Sequence, residues 1–542
     1  GVKKATRQET SGKRNLEGAA SGPIRAARLS PIRGWKRSEK PIILTDLVFM
    51  STTYYLAIDL GAESGRIMLG TLQSGRLTLE EIHRFPNRVV TVGDHLNWDL
   101  PHLDREIFSG LEKAAQRGLP IAGISTDSWG VDYILLDAAG KKIAEPHCYR
   151  DSWTAESPAR LFKKLPFTEI YAETGIQFMT INTLFHLEAQ QQEDPAVLAG
   201  ADHFLNIADY FNARLSGVEI AEQSLASTTQ LYNPNMGGWS EKLIAALGLR
   251  ASLFPRIAPS GTVLGPVTGD LGKQPALAQA KVIATCSHDT GAAVAAVPAR
   301  ADNWAYLSSG TWSLLGAELS APIVTEAARE AGFTNEVGLG GTIRFLKNLA
   351  GLWVLQECRR AWEAAGQSFT YDELMALAEK NGAASAHFSL KDPRFLSPGD
   401  MPGKISAYCR ETGQPVPASP AEFVRTILES LALSYAETLR QLEELVGRKF
   451  DRLYIVGGGS RSRLLNQLTA EATGLTVVAG PVEATAIGNI LIQALTLGHL
   501  ESPRHLRETV ENSFPTQTFH PQPASKSAAT DRSPKLQFTP TL

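Results

Sequence analysis

Three short segments carry side chains that could act together on a phosphate. The first is Asp59-Leu60-Gly61-Ala62-Glu63-Ser64-Gly65-Arg66. Gly61 and Gly65 let backbone N–H groups converge, Ser64 adds a hydroxyl and Arg66 a positive charge, which together suit a phosphate oxygen. Asp59 is acceptor-only and could hold Mg2+ through water. An ordinary hairpin is the competing reading. The second segment, Ser308-Ser309-Gly310-Thr311, sets three hydroxyls around one glycine, and alone it too reads as a plain turn. The third runs from Ala284 to Gly291 and contains Ser287-His288-Asp289-Thr290. Phosphoryl transfer to a hydroxyl needs one positioned carboxylate to take the proton, plus a metal and donors for the phosphate charge. Asp289 is the candidate base, with helix capping as its alternative role. His288 is either a ligand of the acceptor or a packed imidazole.

The elements that must position these segments follow from apolar patterning. Tyr54 to Ile58 and Ile67 to Leu72 read as strands flanking the first segment, which makes it a hairpin turn. Leu77 to Phe85 is a third strand. Asp99 and Pro101 open a helix that Gly118 closes, and Ile121 to Thr126 returns to strand. A similar order recurs: Trp304 to Leu307, the second turn, Trp312 to Leu319, Thr342 to Lys347, then a helix over Leu352 to Ala364. The stretch Pro420 to Val446 is helical, with Phe423, Ile427, Leu431, Leu433, Tyr435, Leu439 and Leu442 at apolar positions. Strand Leu453 to Val456, helix Ser462 to Thr473, strand Leu475 to Ala479 and helix Ala484 to Leu497 complete the pattern. Two halves that each open with such a hairpin predict a duplicated α/β fold with a cleft between the copies, dividing near Pro298–Asp302. Alternation with helices predicts parallel order in the outer strands.

Across that cleft the two turns would grip a polyphosphate from both sides. Gly457-Gly458-Gly459 follows an apolar strand and fits neither the Walker A nor the dinucleotide pattern. It either lets adenine or ribose approach the backbone or simply makes a tight strand-to-helix turn. Asp289 follows the apolar Val282-Ile283 and precedes an Ala-rich helical stretch, so it should project from a strand end into the ligand region.

Composition excludes several classes. The 542 residues carry 43% hydrophobic and 20% charged side chains and a net charge of −3, which suits a soluble two-domain protein with no general pull toward nucleic acid or membrane. Four scattered cysteines without a CxxC pair argue against structural zinc or a disulfide framework and suit a reducing cytoplasm. The first fifty residues hold eleven Lys/Arg against four Asp/Glu. A basic arm, a transit peptide or sequence upstream of a start at Met50 would each explain them, and the last is preferred. From Pro515 onward the composition predicts a disordered tail.

Taken together, these motifs resemble the FGGY carbohydrate kinases, a branch of the actin and Hsp70-like ATPases, from about Thr53 to Pro515. The resemblance implies two actin-like (ribonuclease H-like) domains: 51–299 on the sugar side and 300–514 on the ATP side, between an extension at 1–50 and a tail at 515–542. Thr126-Asp127-Ser128-Trp129-Gly130-Val131-Asp132, Ser287 to Thr290, Tyr306 to Leu314, and Leu346-Lys347-Asn348 with Gly351-Leu352-Trp353 look like the branch acting on L-rhamnulose. The resemblance implies Asp289 as the base for the C1 hydroxyl, with Gly130, His288, Thr290 and Asn348 around the sugar. It places Ala62, Glu63, Ser64, Gly65, Arg66, Thr311, Gln356 and Gly458 on ATP, and Asp59 on Mg2+. Partners are then a sugar and ATP, with the chain a monomer or homodimer. Related kinases of L-fuculose or a pentulose, and a non-catalytic sugar-sensing ATPase module, are the alternatives. Glu63 departs from the small or hydroxyl residue common at its position, so weaker ATP binding is expected unless it points outward. A disulfide of some relatives is not expected, since no cysteine follows closely on Cys409. Trp129 either packs a ring face on the sugar's methyl group or belongs to the core.

Overall fold

The computed structural model describes residues 52–395 and 397–522. The expectations for residues 1–51 and for 523–542 lie outside that range.

Two sheets form the frame. The first contains β1 (Thr53–Leu60), β2 (Ser64–Gln73), β3 (Arg76–Pro86), β4 (Ile121–Ser128), β5 (Thr262–Pro266) and β6 (Lys281–Ala284), in the order β5-β6-β4-β1-β2-β3. The second contains β7 (Trp304–Ser309), β8 (Trp312–Leu319), β9 (Thr334–Val337), β10 (Ile343–Ala350), β11 (Arg452–Val456), β12 (Thr476–Ala479) and β13 (Gln517–Phe519), in the order β9-β10-β8-β7-β11-β12-β13. Each sheet has an antiparallel hairpin next to parallel strands: β1 with β4, and β7 with β11 and β12. The repeated order is the duplication the sequence pattern predicts.

Two details differ from the sequence expectation. The strands beyond the parallel ones, β5 and β13, run antiparallel to their neighbours, because alternation with helices does not by itself fix strand direction at a sheet edge. Part of the expected tail is also ordered structure. Gln517–Phe519 pairs with Val477–Ala479 and buries Phe519, which covers an otherwise open sheet edge.

The helices follow their stop and start signals. In α1 (Leu100–Ala115) the Asp99 carboxylate accepts the His102 N–H at 2.9 Å, and Leu103, Ile107, Leu111 and Ala114 make the buried stripe. Further along the chain come α2 (Asp289–Ala295), α3 (Trp353–Ala364), α4 (Pro420–Val446), α5 (Arg463–Thr473) and α6 (Ala484–Thr496). Ser419 caps α4 and Gly447 ends it in the left-handed conformation. Leu433, expected on its apolar face, is exposed because it sits only two residues from Leu431, off the stripe.

Between the sheets, α2 and α6 cross closely enough that a Cβ on Gly488 would lie 1.9 Å from the Ala292 carbonyl oxygen. Their apolar sides share one core with Tyr55 and Ala57 of β1 and Tyr306 of β7. Helix α6 also hydrogen-bonds into the first sheet, from Gln493 Nε2 to the Leu56 carbonyl at 2.9 Å and from Asn489 Nδ2 to Asp127 at 2.6 Å. The four cysteines are buried and free, and among the described residues no helix is long and apolar enough to cross a membrane.

Candidate active site

A cavity of about 390 Å3 opens where the two hairpin turns and the start of α2 meet. Its wall takes Gly61 to Ser64 from the β1–β2 turn, Ser308 to Trp312 from the β7–β8 turn, Gly457 and Gly458 after β11, and His288, Asp289 and Thr290.

Each turn is held from behind. In the first, the Gly61 N–H donates to the Ser64 carbonyl at 2.9 Å, and Asn87 Nδ2 donates to the Gly61 carbonyl at 3.1 Å. In the second, the Gly310 carbonyl accepts the Leu352 N–H at 3.0 Å as α3 begins. Gly351 lets that helix come so near that a Cβ there would sit 2.7 Å from the Gly310 carbonyl oxygen. At Gly459 a Cβ would fall 2.0 Å from Ser309 Oγ, so the glycine run is needed to seat β11 against the turn.

The Asp289 segment is fixed by buried acceptors. Glu222 accepts the Ser287 N–H at 3.0 Å, and Ser224 Oγ accepts the His288 N–H at 3.1 Å. Asp289 Oδ1 takes the Thr290 N–H at 2.6 Å. Burial pushes the Asp289 carboxyl up to about 6, and Asp59 adds to the rise while His288 opposes it. About 27% of that side chain remains exposed, toward the cavity.

Of the residues singled out in the sequence, Ala62, Glu63, Ser64, Gly130, His288, Asp289, Thr290, Thr311, Asn348 and Gly458 share this wall. Four do not reach it. Gly65 is buried against the Phe85 ring. Arg66 is engaged by Asp59 and Glu483 in a double ion pair. Gln356 instead donates to Thr311 Oγ1 at 3.3 Å. Asp59 sits beside Asp127 in strand register, and burial with the Asp59 charge pushes the Asp127 carboxyl up. Glu63 is 45% exposed, with Arg360 Nη2 at 3.8 Å.

Trp129 is both things at once. It is buried against Trp98 and donates to Asp132 at 2.8 Å, yet its ring also lines the cavity. The sequence reading missed Arg150, Gln177 and Glu336 on the wall. Gln177 Oε1 accepts the Asn348 N–H at 3.1 Å, tying the two halves together beside the cavity. A polar residue between apolar ones, as in Ile176-Gln177-Phe178, was the only available signal.

The profile of the FGGY family of carbohydrate kinases, N-terminal domain, matches residues 54–296, and that of its C-terminal domain matches residues 305–497. The chain belongs to the FGGY family of carbohydrate kinases. This sugar kinase is 44% identical to the rhamnulokinase of Bacteroides thetaiotaomicron over 86% of its own length and 96% of that protein. It is 39% identical to the rhamnulokinase of Bacillus subtilis over 87% and 96%. Among solved structures, the kinase resembles a ligand-bound xylulose kinase from Lactobacillus acidophilus with a TM-score of 0.72 at 15% identity, covering 87% and 94% of the two chains. Plasmodium falciparum glycerol kinase with ADP gives 0.70 at 15% identity over 87% and 94%. Those structures share the fold.

Proposed function

We propose that this kinase transfers the γ-phosphoryl group of ATP to the C1 hydroxyl of L-rhamnulose, giving ADP and L-rhamnulose 1-phosphate. One observation carries the reading: the Asp289 carboxylate shares a single cavity wall with both phosphate-type turns. Its affinity, near 6, leaves it mostly ionised at neutral pH yet basic enough to take a hydroxyl proton. Oδ1 is occupied by the Thr290 N–H, so Oδ2 is the oxygen left for the sugar.

Gly130, His288, Thr290 and Asn348 surround the acceptor. A Cβ on Gly130 would come within 2.8 Å of Thr228 Oγ1, so a glycine is needed for the backbone to pass this close to Thr228. Ala62, Glu63, Ser64, Thr311 and Gly458 face the nucleotide directly. Gly65, Arg66 and Gln356 act from behind, by shaping the first turn, holding Asp59 and orienting the Thr311 hydroxyl. On this reading 51–299 carries most of the sugar site and 300–514 most of the ATP site.

Mg2+ favours oxygen ligands and keeps several waters. Asp59 supplies such oxygens, and the buried Oδ1 of neighbouring Asp127 has no hydrogen-bond partner. Among the described residues no group of three or more acidic, His or Cys side chains could hold a metal alone. Asp59, lying behind the turn, would meet an ion carried by the nucleotide through water. Bound there, Mg2+ would neutralise phosphate charge.

The relatives named above support the choice of sugar, and Trp129 offers an apolar face for a 6-deoxy methyl group. The test is ADP release with L-rhamnulose, L-fuculose, a pentulose and glycerol. A hydroxyl of the wrong configuration leaves a buried partner unpaired at roughly 5- to 150-fold in kcat/KM. L-rhamnulose should lead L-fuculose by at least about tenfold on that scale. A different sugar ranked first would overturn the substrate while leaving the kinase in place.

A further inference from the structure

A charged pair at the sugar end of the cavity has no part in the roles above. Glu336 on β9 and Arg344 on β10 are register partners, so their side chains lie on one face of the second sheet. Arg344 is fully buried. Its Nε donates to the Val337 carbonyl at 3.3 Å, Nη1 to Thr290 Oγ1 at 2.8 Å and Nη2 to His288 Nδ1 at 3.1 Å.

Glu336 is 5% exposed, and what shows lines the cavity. Its Oε2 lies 3.0 Å from Arg344 Nη2 and 3.1 Å from His288 Nδ1. Both are ion-pair distances although neither is aligned as a hydrogen bond, so Oε2 is held between those two groups. One of the two Nη2 hydrogens is directed at His288. Burial alone would push the Glu336 carboxyl up, but Arg344 and His288 more than offset it and hold it below the ordinary range. The group is therefore an anion, acceptor-only, with lone pairs to spare at the wall of a site for a polyol. Buried oxygens of that kind are normally satisfied by water or by a ligand hydroxyl.

The same arginine orients the base's neighbour. Its Nη2 and Glu336 Oε2 both meet His288 at Nδ1, which leaves Nε2 as the ring nitrogen facing Asp289. That nitrogen stands 3.5 Å from Asp289 Oδ1.

We propose that Glu336 is a further substrate-binding residue, accepting a hydrogen bond from a secondary hydroxyl of the ketose, and that Arg344 positions Glu336, His288 and Thr290 around it. The inference rests on the cavity being the sugar site as proposed above. It also supplies a basis for choosing between epimers. A sugar whose hydroxyl turns away would leave the carboxylate desolvated and unpaired.

The ketose panel on the wild-type kinase judges the sugar-site reading by itself, and no turnover with any ketose overturns both readings. With the ketose turned over best, Glu336→Gln should raise its KM about 10- to 100-fold while the ATP KM stays within about twofold. The penalty should vanish for the one monodeoxy analogue that lacks the hydroxyl Glu336 binds. Should the glutamine variant not fold, Glu336→Asp keeps the charge beside Arg344 but withdraws it by one methylene. That variant should raise the ketose KM about three- to tenfold with the same split. A ketose KM within about twofold of wild type in the folded variant, or equal losses for ketose and ATP, would reduce the pair to a structural tie and overturn the proposal.

Discussion

Replacing Asp289 by Asn should make the kinase nearly inactive and, at the same time, more stable. The two carboxamide-for-carboxylate effects have separate origins. Asparagine keeps the size and can still accept the Thr290 N–H that Oδ1 now takes at 2.6 Å, so the segment should stay in place. It cannot accept a proton, which typically costs about 10²- to 10⁴-fold in kcat. The stability gain comes from the ionisation itself. Moving the carboxyl from 3.8 to about 6 disfavours the charged form in the folded protein. At pH 7.5 that amounts to about 3 kcal/mol at most, since one pH unit is about 1.4 kcal/mol. With about 27% of the side chain exposed, solvent reduces this to roughly 1–3 kcal/mol. The sign follows from the direction of the shift. The penalty is absent below the unfolded value of 3.8, grows as pH rises toward 6 and is constant above it. Asp289→Asn should therefore melt a few degrees higher than wild type at pH 7.5 and at nearly the same temperature at pH 4. Melting scans at both pH values, paired with coupled ADP-release kinetics, read both effects. A variant keeping more than about a tenth of wild-type kcat would show that another group takes the proton. A melting temperature below wild type at pH 7.5 would refute the desolvation argument.

The remaining predictions concern other parts of the same frame. In wild type, kcat/KM should fall about tenfold per pH unit below about 6, as protonation removes the Asp289 base, and the residual activity of Asp289→Asn should lack that limb. Glu63→Ser should lower the ATP KM about two- to fivefold, the scale of one exposed charge, without changing the ketose KM; an unchanged ATP KM would mean the carboxylate already points away. Gly488→Ala should lower the melting temperature despite alanine's better helix propensity. Its Cβ would meet the Ala292 carbonyl at 1.9 Å, an overlap costing about 1–3 kcal/mol. Small-angle scattering should give a smaller radius of gyration with ketose plus a non-hydrolysable ATP analogue, because the two phosphate turns belong to different halves; no change at saturation would count against closure.

Much of the frame was legible because its signals are local. The hairpins around Gly61 and Gly310 announce themselves by apolar runs broken by glycine and hydroxyl residues, and α4 by a seven-turn stripe with Ser419 and Gly447 at its ends. Asp289 was visible because a strand end, a polar cluster and an Ala-rich helix follow one another directly. What stayed hidden depends on partners distant in sequence. Glu336 and Arg344 read as ordinary charges on strands, and only the register of β9 on β10 together with His288, some fifty positions earlier, gives them a place. Arg66 looked free to meet a phosphate until Glu483, from the other half, closed on it. The strand at Gln517–Phe519 is too short and too polar to declare itself without the open edge of β12 beside it.

The crossing of α2 and α6 bears on which parts of the molecule can move. A Cβ has no room at Gly488 against the Ala292 carbonyl, so the helices are already at closest approach there. A turn of one half against the other that kept this contact would have it as its fulcrum. Asp289 begins α2 three residues before Ala292, about 4.5 Å along the axis. In a lever, displacement grows with distance from the fulcrum. In such a turn the base would be carried least, while groups farther out along the cleft would travel further. Chemistry that needs one atom held still and another brought to it would find both on the same lever.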